Sequence, residues 1–200
     1  ASLNETKQPA DFIAEMSRLV HEEYPAPYCY SAGWQRGYDI YVESRQFRIF
    51  NNCKEYGVPL IVSEYGDYEY FANDGGLTQY IRGWRQKPEL TSRQLREDGE
   101  VRMVQQLKNL NEAHIDNHKS VKAMGDGYWV MFDYNRGSSN LIEASGVMSH
   151  DRLPKYAYYY YRSLREEGKP MVFVASNIDE NSPAEKAVIS NCERVEIVAD

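Results

Sequence analysis

The chain reads as an α/β protein built on a parallel sheet, followed by a short β-rich tail. Two observations predict this. Apolar strand-like runs alternate with helix-like segments from about Pro9 to Gly168. These runs are apolar along most of their length, as strands covered on both faces are. After Lys169–Pro170 the alternation stops, and three short strand-like runs follow with turn residues between them and no helix. A domain boundary is expected there, separating residues 1–168 from residues 169–200. The tail fits the opening of a β-sandwich but has too few strands to complete one.

The elements follow in order. In "PADFIAEMSRLVHEEY", Phe12, Ile13, Met16, Leu19 and Val20 recur at helical spacing, and Pro9 suits a first turn, so a helix is expected from about Pro9 to Glu23. "YCYSAGW" (Tyr28–Trp34) and "YDIYV" (Tyr38–Val42) read as short strands. "SRQFRIFNNCKEYG" reads as a helix capped by Ser44 and stopped by Gly57. "PLIVS" is a buried strand that ends against Glu64. A long irregular segment runs on to about Leu90, and loops of that length are usually functional. A long helix follows over Thr91–His118, striped by Met103, Leu107 and Leu110. "GYWVMFDY" (Gly127–Tyr134) reads as a strand and "LPKYAYYYYRSLREEG" as a helix closed by Gly168. "PMVFVASN", "EKAVISN" and "RVEIVAD" supply the tail strands.

Bulk properties exclude several functions. No apolar run approaches the roughly 20 residues of a membrane helix. A net charge of -7 and a pI near 5.2 argue against a nucleic-acid partner. Seventeen tyrosines lift aromatic content to 13%, which suits a core and equally suits stacking on sugar rings. Cys29, Cys53 and Cys192 lack C-x-x-C spacing, so no zinc site is indicated, and free buried thiols are expected, with a Cys29–Cys53 pair as the alternative. His21, His114, His118 and His150 show no useful clustering. His114 and His118 lie four apart on a helix without a third ligand at telling distance, and solvated or structural roles are expected. No G-x-S-x-G motif supports a serine hydrolase.

The carboxylates carry the functional signal. Glu64 closes a parallel strand, and in a (β/α)8 barrel the catalytic residues sit at the carboxyl ends of strands. Glu5, in "SLNE", stands just before a helix and can end a strand in the same way. Two carboxylates at strand ends facing one cavity are what glycoside hydrolysis needs: one ionised to attack, one protonated to serve the leaving oxygen. A single Glu after a strand is more often a loop or helix-start residue, so the signal lies in the combination.

"LNE", "PLIVSEYG" and "GYWVMFDY" resemble the fourth, seventh and eighth strand ends of glycoside hydrolase family 2 enzymes of the β-galactosidase type. "SGVMSHDRLPKYAYYYYRS" resembles the segment after the last strand, and "KPMVFVASN" the start of the immunoglobulin-like domain beyond it. The resemblance implies a partial (β/α)8 TIM barrel, about strands 4–8, followed by the beginning of a β-sandwich. It implies a retaining exo-β-glycosidase needing no cofactor, with β-galactosides, including algal galactan oligosaccharides, as substrates. β-Glucuronidase or β-mannosidase activity, or a non-catalytic carbohydrate-binding role, are the alternatives. Glu64 becomes the nucleophile, Glu5 the acid/base, and Asn4 the partner of the sugar 2-hydroxyl. Trp129 matches the strand-eight tryptophan of Trp-x-x-Phe-Asp-Tyr and either floors the subsite or packs in the core. Tyr41 matches the strand-six tyrosine that bonds the nucleophile, and Trp34 serves stacking or loop packing. Asp67 and Glu69 shape the following loop, and Arg136 in "NRGSSN" meets an acidic substituent or stays solvated.

"ASLNETKQPADF" has no initiator Met. Strands one to three are expected upstream, and the piece alone is expected to be inactive and aggregation-prone, because an open barrel leaves two sheet edges. The resemblance favours a periplasmic or secreted bacterial protein.

Overall fold

The structure is a computed structural model that describes residues 2–3, 7–33, 37–44, 57–65, 100–119, 123–134, 145–165, 168–182, 184 and 186–198. The chain divides into two compact units, one of Ala1–Gly66 with Ala113–Tyr128, the other of Asp67–Glu112 with Trp129–Asp200.

The first unit holds a five-stranded sheet in sequential order: β1 (Ser2–Leu3), β2 (Ser31–Ala32), β3 (Ile40–Ser44), β4 (Leu60–Glu64) and β5 (Ala123–Asp126). All four strand pairings are parallel. Helix α1 (Ala10–Glu23) joins β1 to β2, with Pro9 at its cap position and Arg18 reaching Glu15 and Glu22 along one face. A parallel strand needs cover on both faces, and β4 has it at its centre: Leu60 and Val62 are buried, and Ile61 and Ser63 half-buried. Gly37 adopts φ +112, a region L side chains avoid, in the turn before β3. Asp39 secures the same turn by accepting from the backbone N–H groups of Cys29 and Tyr30.

Helix α2 (Glu100–Lys119) gives its first part to the second unit and its last turns to the first. In the second unit Met103, Val104 and Leu107 of α2 pack with Tyr156 and Tyr160 of α3 (Tyr156–Ser163). They also meet Ala175 of β6 (Val172–Ala175) and Ile189 of β7 (Ala187–Ser190), which pair antiparallel. Tyr159 stacks flat on Phe173 at 3.7 Å between ring centres.

Several sequence expectations are corrected. The strand expected over Gly127–Tyr134 lies upstream, at Ala123–Asp126. The ladder with β4 ends as Gly127 N–H donates to Val62 O at 2.7 Å. Gly127 permits that approach, since a Cβ there would stand 3.0 Å from Ser63 O. Beyond it, Phe132 forms only an isolated bridge to Met148. The aromatics that suggested a strand are in a non-ladder segment containing a cis Trp129–Val130 peptide. β2 is only two residues long, and α3 stops at Ser163 instead of reaching Gly168. "RVEIVAD" forms no strand over residues 194–198: no partner among the described residues pairs with it, and Ile197 and Val198 are exposed. Ser44 ends β3, and the helix expected after it lies outside the described residues, as does the segment 66–99. Neither Cys29 nor Cys192 is in a disulfide, and neither is buried: Cys29 is half-buried and Cys192 exposed. Cys53 lies outside the described residues.

Candidate active site

Glu64 is the last residue of β4, at the carboxyl end of a parallel strand, and is half-buried. The pairing with β3 shifts between Glu43 and Ser44, so that Ser44 aligns with Glu64 and Ser63 is skipped. Such an irregularity re-aims the end of a strand. Tyr65, the next residue, is almost wholly buried, its ring edge-on to Tyr128 at 5.7 Å and its hydroxyl 3.3 Å from His114 Nδ1. The backbone next to Glu64 is therefore held from one side by a packed, hydrogen-bonded phenol.

β1 ends at Leu3 and pairs with β2, and Asn4 and Glu5, the next two residues, lie outside the described residues. Trp34 also lies outside them, as do Asp67, Glu69 and Arg136. Tyr41 lies on β3, the strand beside β4, aligned with Leu60, and is buried next to Tyr38, with 6.3 Å between ring centres. Trp129 belongs to the second unit and is 39% exposed. Its Nε1 donates to Tyr134 Oη at 3.1 Å with the rings edge to face, which fixes the indole orientation.

Two features escaped sequence reasoning. The first is a buried ion pair in the second unit. Lys155 Nζ donates to Asp133 Oδ1 at 2.7 Å, and both side chains are sealed from solvent. Gly146 N–H donates to the same oxygen at 2.9 Å. Burial pushes Asp133 up to about 6, against the opposing pull of Lys155. Gly146 is required, since a Cβ would lie 2.3 Å from Asp133 N. The pair locks the segment carrying Trp129 and Tyr134 to the start of α3. The Asp of Trp-x-x-Phe-Asp-Tyr was the available signal, but nothing in sequence named its partner 22 residues on. The second is a His–His–Asp cluster: His114 Nδ1 stands 3.0 Å from Asp126 Oδ2 and His118 Nε2 3.3 Å from Asp126 Oδ1. The expectation of unclustered histidines is thereby corrected. Asp126 was missed as the third member because the strand carrying it was placed downstream.

No family model matches the chain. A β-galactosidase of Thermoanaerobacter pseudethanolicus is 39% identical over 83 residues, covering 36% of this chain and 11% of that protein. Among solved structures, Bacteroides uniformis β-glucuronidase 3 superposes with a TM-score of 0.57 at 15% identity, over 91% of this chain and 26% of that one. A further B. uniformis β-glucuronidase gives 0.56 at 16% identity, over 84% and 21%. The GH2 β-galacturonidase of Eisenbergiella tayi, bound to galacturonate, gives 0.53 at 19% identity, over 82% and 33%. The chain thus spans about a tenth of the β-galactosidase and between a fifth and a third of these structures.

Proposed function

We propose that the chain belongs to glycoside hydrolase family 2 and is the strand-four-to-eight segment of a retaining exo-β-glycosidase barrel, a reading supported by the likeness to a β-galactosidase and to the folds of β-glucuronidases and a β-galacturonidase. The observation that carries this is Glu64 at the carboxyl end of β4, three strands along a sequentially ordered parallel sheet from the strand that Asn4–Glu5 follow. The residues 169–200 are proposed to begin the next, immunoglobulin-like domain.

In this reading Glu64 is the nucleophile. Its carboxylate attacks the anomeric carbon as Glu5 donates a proton to the departing glycosidic oxygen, giving a glycosyl-enzyme and a free alcohol. Glu5, now ionised, takes a proton from water. The water oxygen bonds to the anomeric carbon, the Glu64 ester bond breaks, and the sugar leaves with retained configuration. The mechanism requires the two carboxyl groups about 5–5.5 Å apart. Asn4 holds the 2-hydroxyl, a contact that strengthens as the oxocarbenium-like transition state forms. Tyr41, on the strand beside β4, is the residue assigned to bond the nucleophile.

The substrate is a β-galactoside in the leading reading, with β-glucuronide and β-mannoside as rivals that the fold does not separate. A panel of nitrophenyl glycosides on the full-length enzyme identifies the sugar. The test of mechanism is trapping with a 2-deoxy-2-fluoro glycoside of the preferred sugar. Peptide mapping should find the label on Glu64 and none in Glu64→Gln. Label at another residue, or none in an active enzyme, rejects the assignment; a carbohydrate-binding module would neither turn over nor label.

A further inference from the structure

The cluster at the end of α2 is built from side chains alone. His114 and His118, one turn apart, present their rings 4.1 Å between centres. Both reach Asp126, the last residue of β5. The three ligand atoms all lie within 4.8 Å of one another. Four ligands around Zn²⁺ at their usual bond lengths stand about 3.4 Å apart, and the two imidazole nitrogens lie at a similar range from the carboxylate, His114 Nδ1 3.0 Å from Oδ2 and His118 Nε2 3.3 Å from Oδ1 of Asp126.

The surroundings point the same way. A cavity of about 140 Å³ lined by Asn117, His118, Gly125 and Asp126 lies beside the cluster, with volume for several waters. Asn117 is buried, and its Nδ2 has no partner among the described residues. Asp126 also accepts from Tyr65, an outer-shell bond of the kind that orients a ligating carboxylate. The described residues hold one comparable trio, His21, Cys29 and Asp39. There the Asp39 Oδ2 accepts from two backbone N–H groups, so that carboxylate is engaged in holding a turn. Asp126 makes no such backbone bond among the described residues.

We infer that His114 Nδ1, His118 Nε2 and a carboxylate oxygen of Asp126 form a binding site for a first-row divalent transition cation such as Zn²⁺. The fourth position faces the cavity and takes water. The ion ties the last turn of α2 to β5 within the first unit and, through Tyr65, braces the residue after Glu64. This site is independent of the glycosidase reading and stands or falls without it.

The test is zinc binding by the full-length protein, stripped with chelator and titrated with Zn²⁺ by calorimetry, in wild type and His118→Ala. His118 is 61% exposed, so its removal leaves the fold intact, which circular dichroism checks. Wild type should bind one more Zn²⁺ than the variant, and zinc should raise the Tm of wild type more than that of the variant. Tyr65→Phe should keep the stoichiometry and weaken this site by about 10-fold. Co²⁺ substitution should give a visible absorption band of tetrahedral intensity that His118→Ala lacks. Equal zinc stoichiometry and equal Tm shifts in wild type and His118→Ala overturn the site.

Discussion

Removing the charge of Asp133 is expected to be among the most destabilising conservative changes in the second unit. Asp133→Asn keeps the shape and an acceptor for Gly146 N–H, but takes away the counter-charge of Lys155, whose side chain is fully sealed. Breaking a buried pair by removing one partner costs about 3–5 kcal/mol, because the remaining charge stays buried and uncompensated. About 4 kcal/mol is nearly a 10³-fold change in an opening equilibrium. Replacing both groups removes that penalty, so Asp133→Asn with Lys155→Met should recover most of the loss, with a coupling of about 2 kcal/mol or more. Amide hydrogen exchange in the full-length protein reads this without requiring two-state unfolding. Segments 129–134 and 145–160 should exchange faster in Asp133→Asn and be largely re-protected in the double variant. Unchanged exchange in the single variant, or a double variant no better than it, refutes the reasoning.

Burial raises the pKa of Asp126, but His114, His118 and Tyr65 outweigh burial and hold it low. Its stabilisation is therefore lost only as pH falls below the carboxylate range, which acid unfolding of wild type against Asp126→Asn will show. Glu64→Gln in the full-length enzyme should cut turnover of nitrophenyl glycosides by on the order of 10³-fold or more, and near-wild-type rates would remove Glu64 from the chemistry. Gly146→Ala meets backbone atoms at 2.3 and 2.5 Å and should cost about 3 kcal/mol or more. Gly127→Ala, at 3.0 Å from Ser63 O, should cost less, and thermal unfolding ranks the two.

What was legible in the sequence is what depends on periodicity. α1 fell within one residue of its expected start because the apolar spacing and Pro9 agree. β4 was found, with Glu64 at its tip, because a buried run stopped by a charge has few other meanings. The misplaced β5 shows the limit. "AMGD" is short, small and polar, and its pairing is set by β4 and by close approach at Gly127, while the louder aromatic run beyond it pairs with no sheet strand among the described residues. The ladder there even skips a residue, leaving Met124 bulged and exposed. Once that strand was misplaced, Asp126 could not be seen as the partner of His114 and His118. The Asp133–Lys155 pair was hidden for another reason: it depends on a loop closure that only Gly146 permits.

The alternation in β4 bears on how this segment can change over generations. Leu60 and Val62 are buried while Ile61 and Ser63 are only half so. Adding or deleting one residue anywhere in the strand exchanges those two sets and moves the terminal carboxylate along its neighbours by about 3.3 Å. Exchanging one aliphatic for another does neither. Lineages descending from this chain should therefore drift freely in which aliphatic residues occupy 60–62, yet keep the count from Pro59 to Glu64 fixed, and deep insertion–deletion scanning should find this stretch intolerant of length changes that leave its composition untouched.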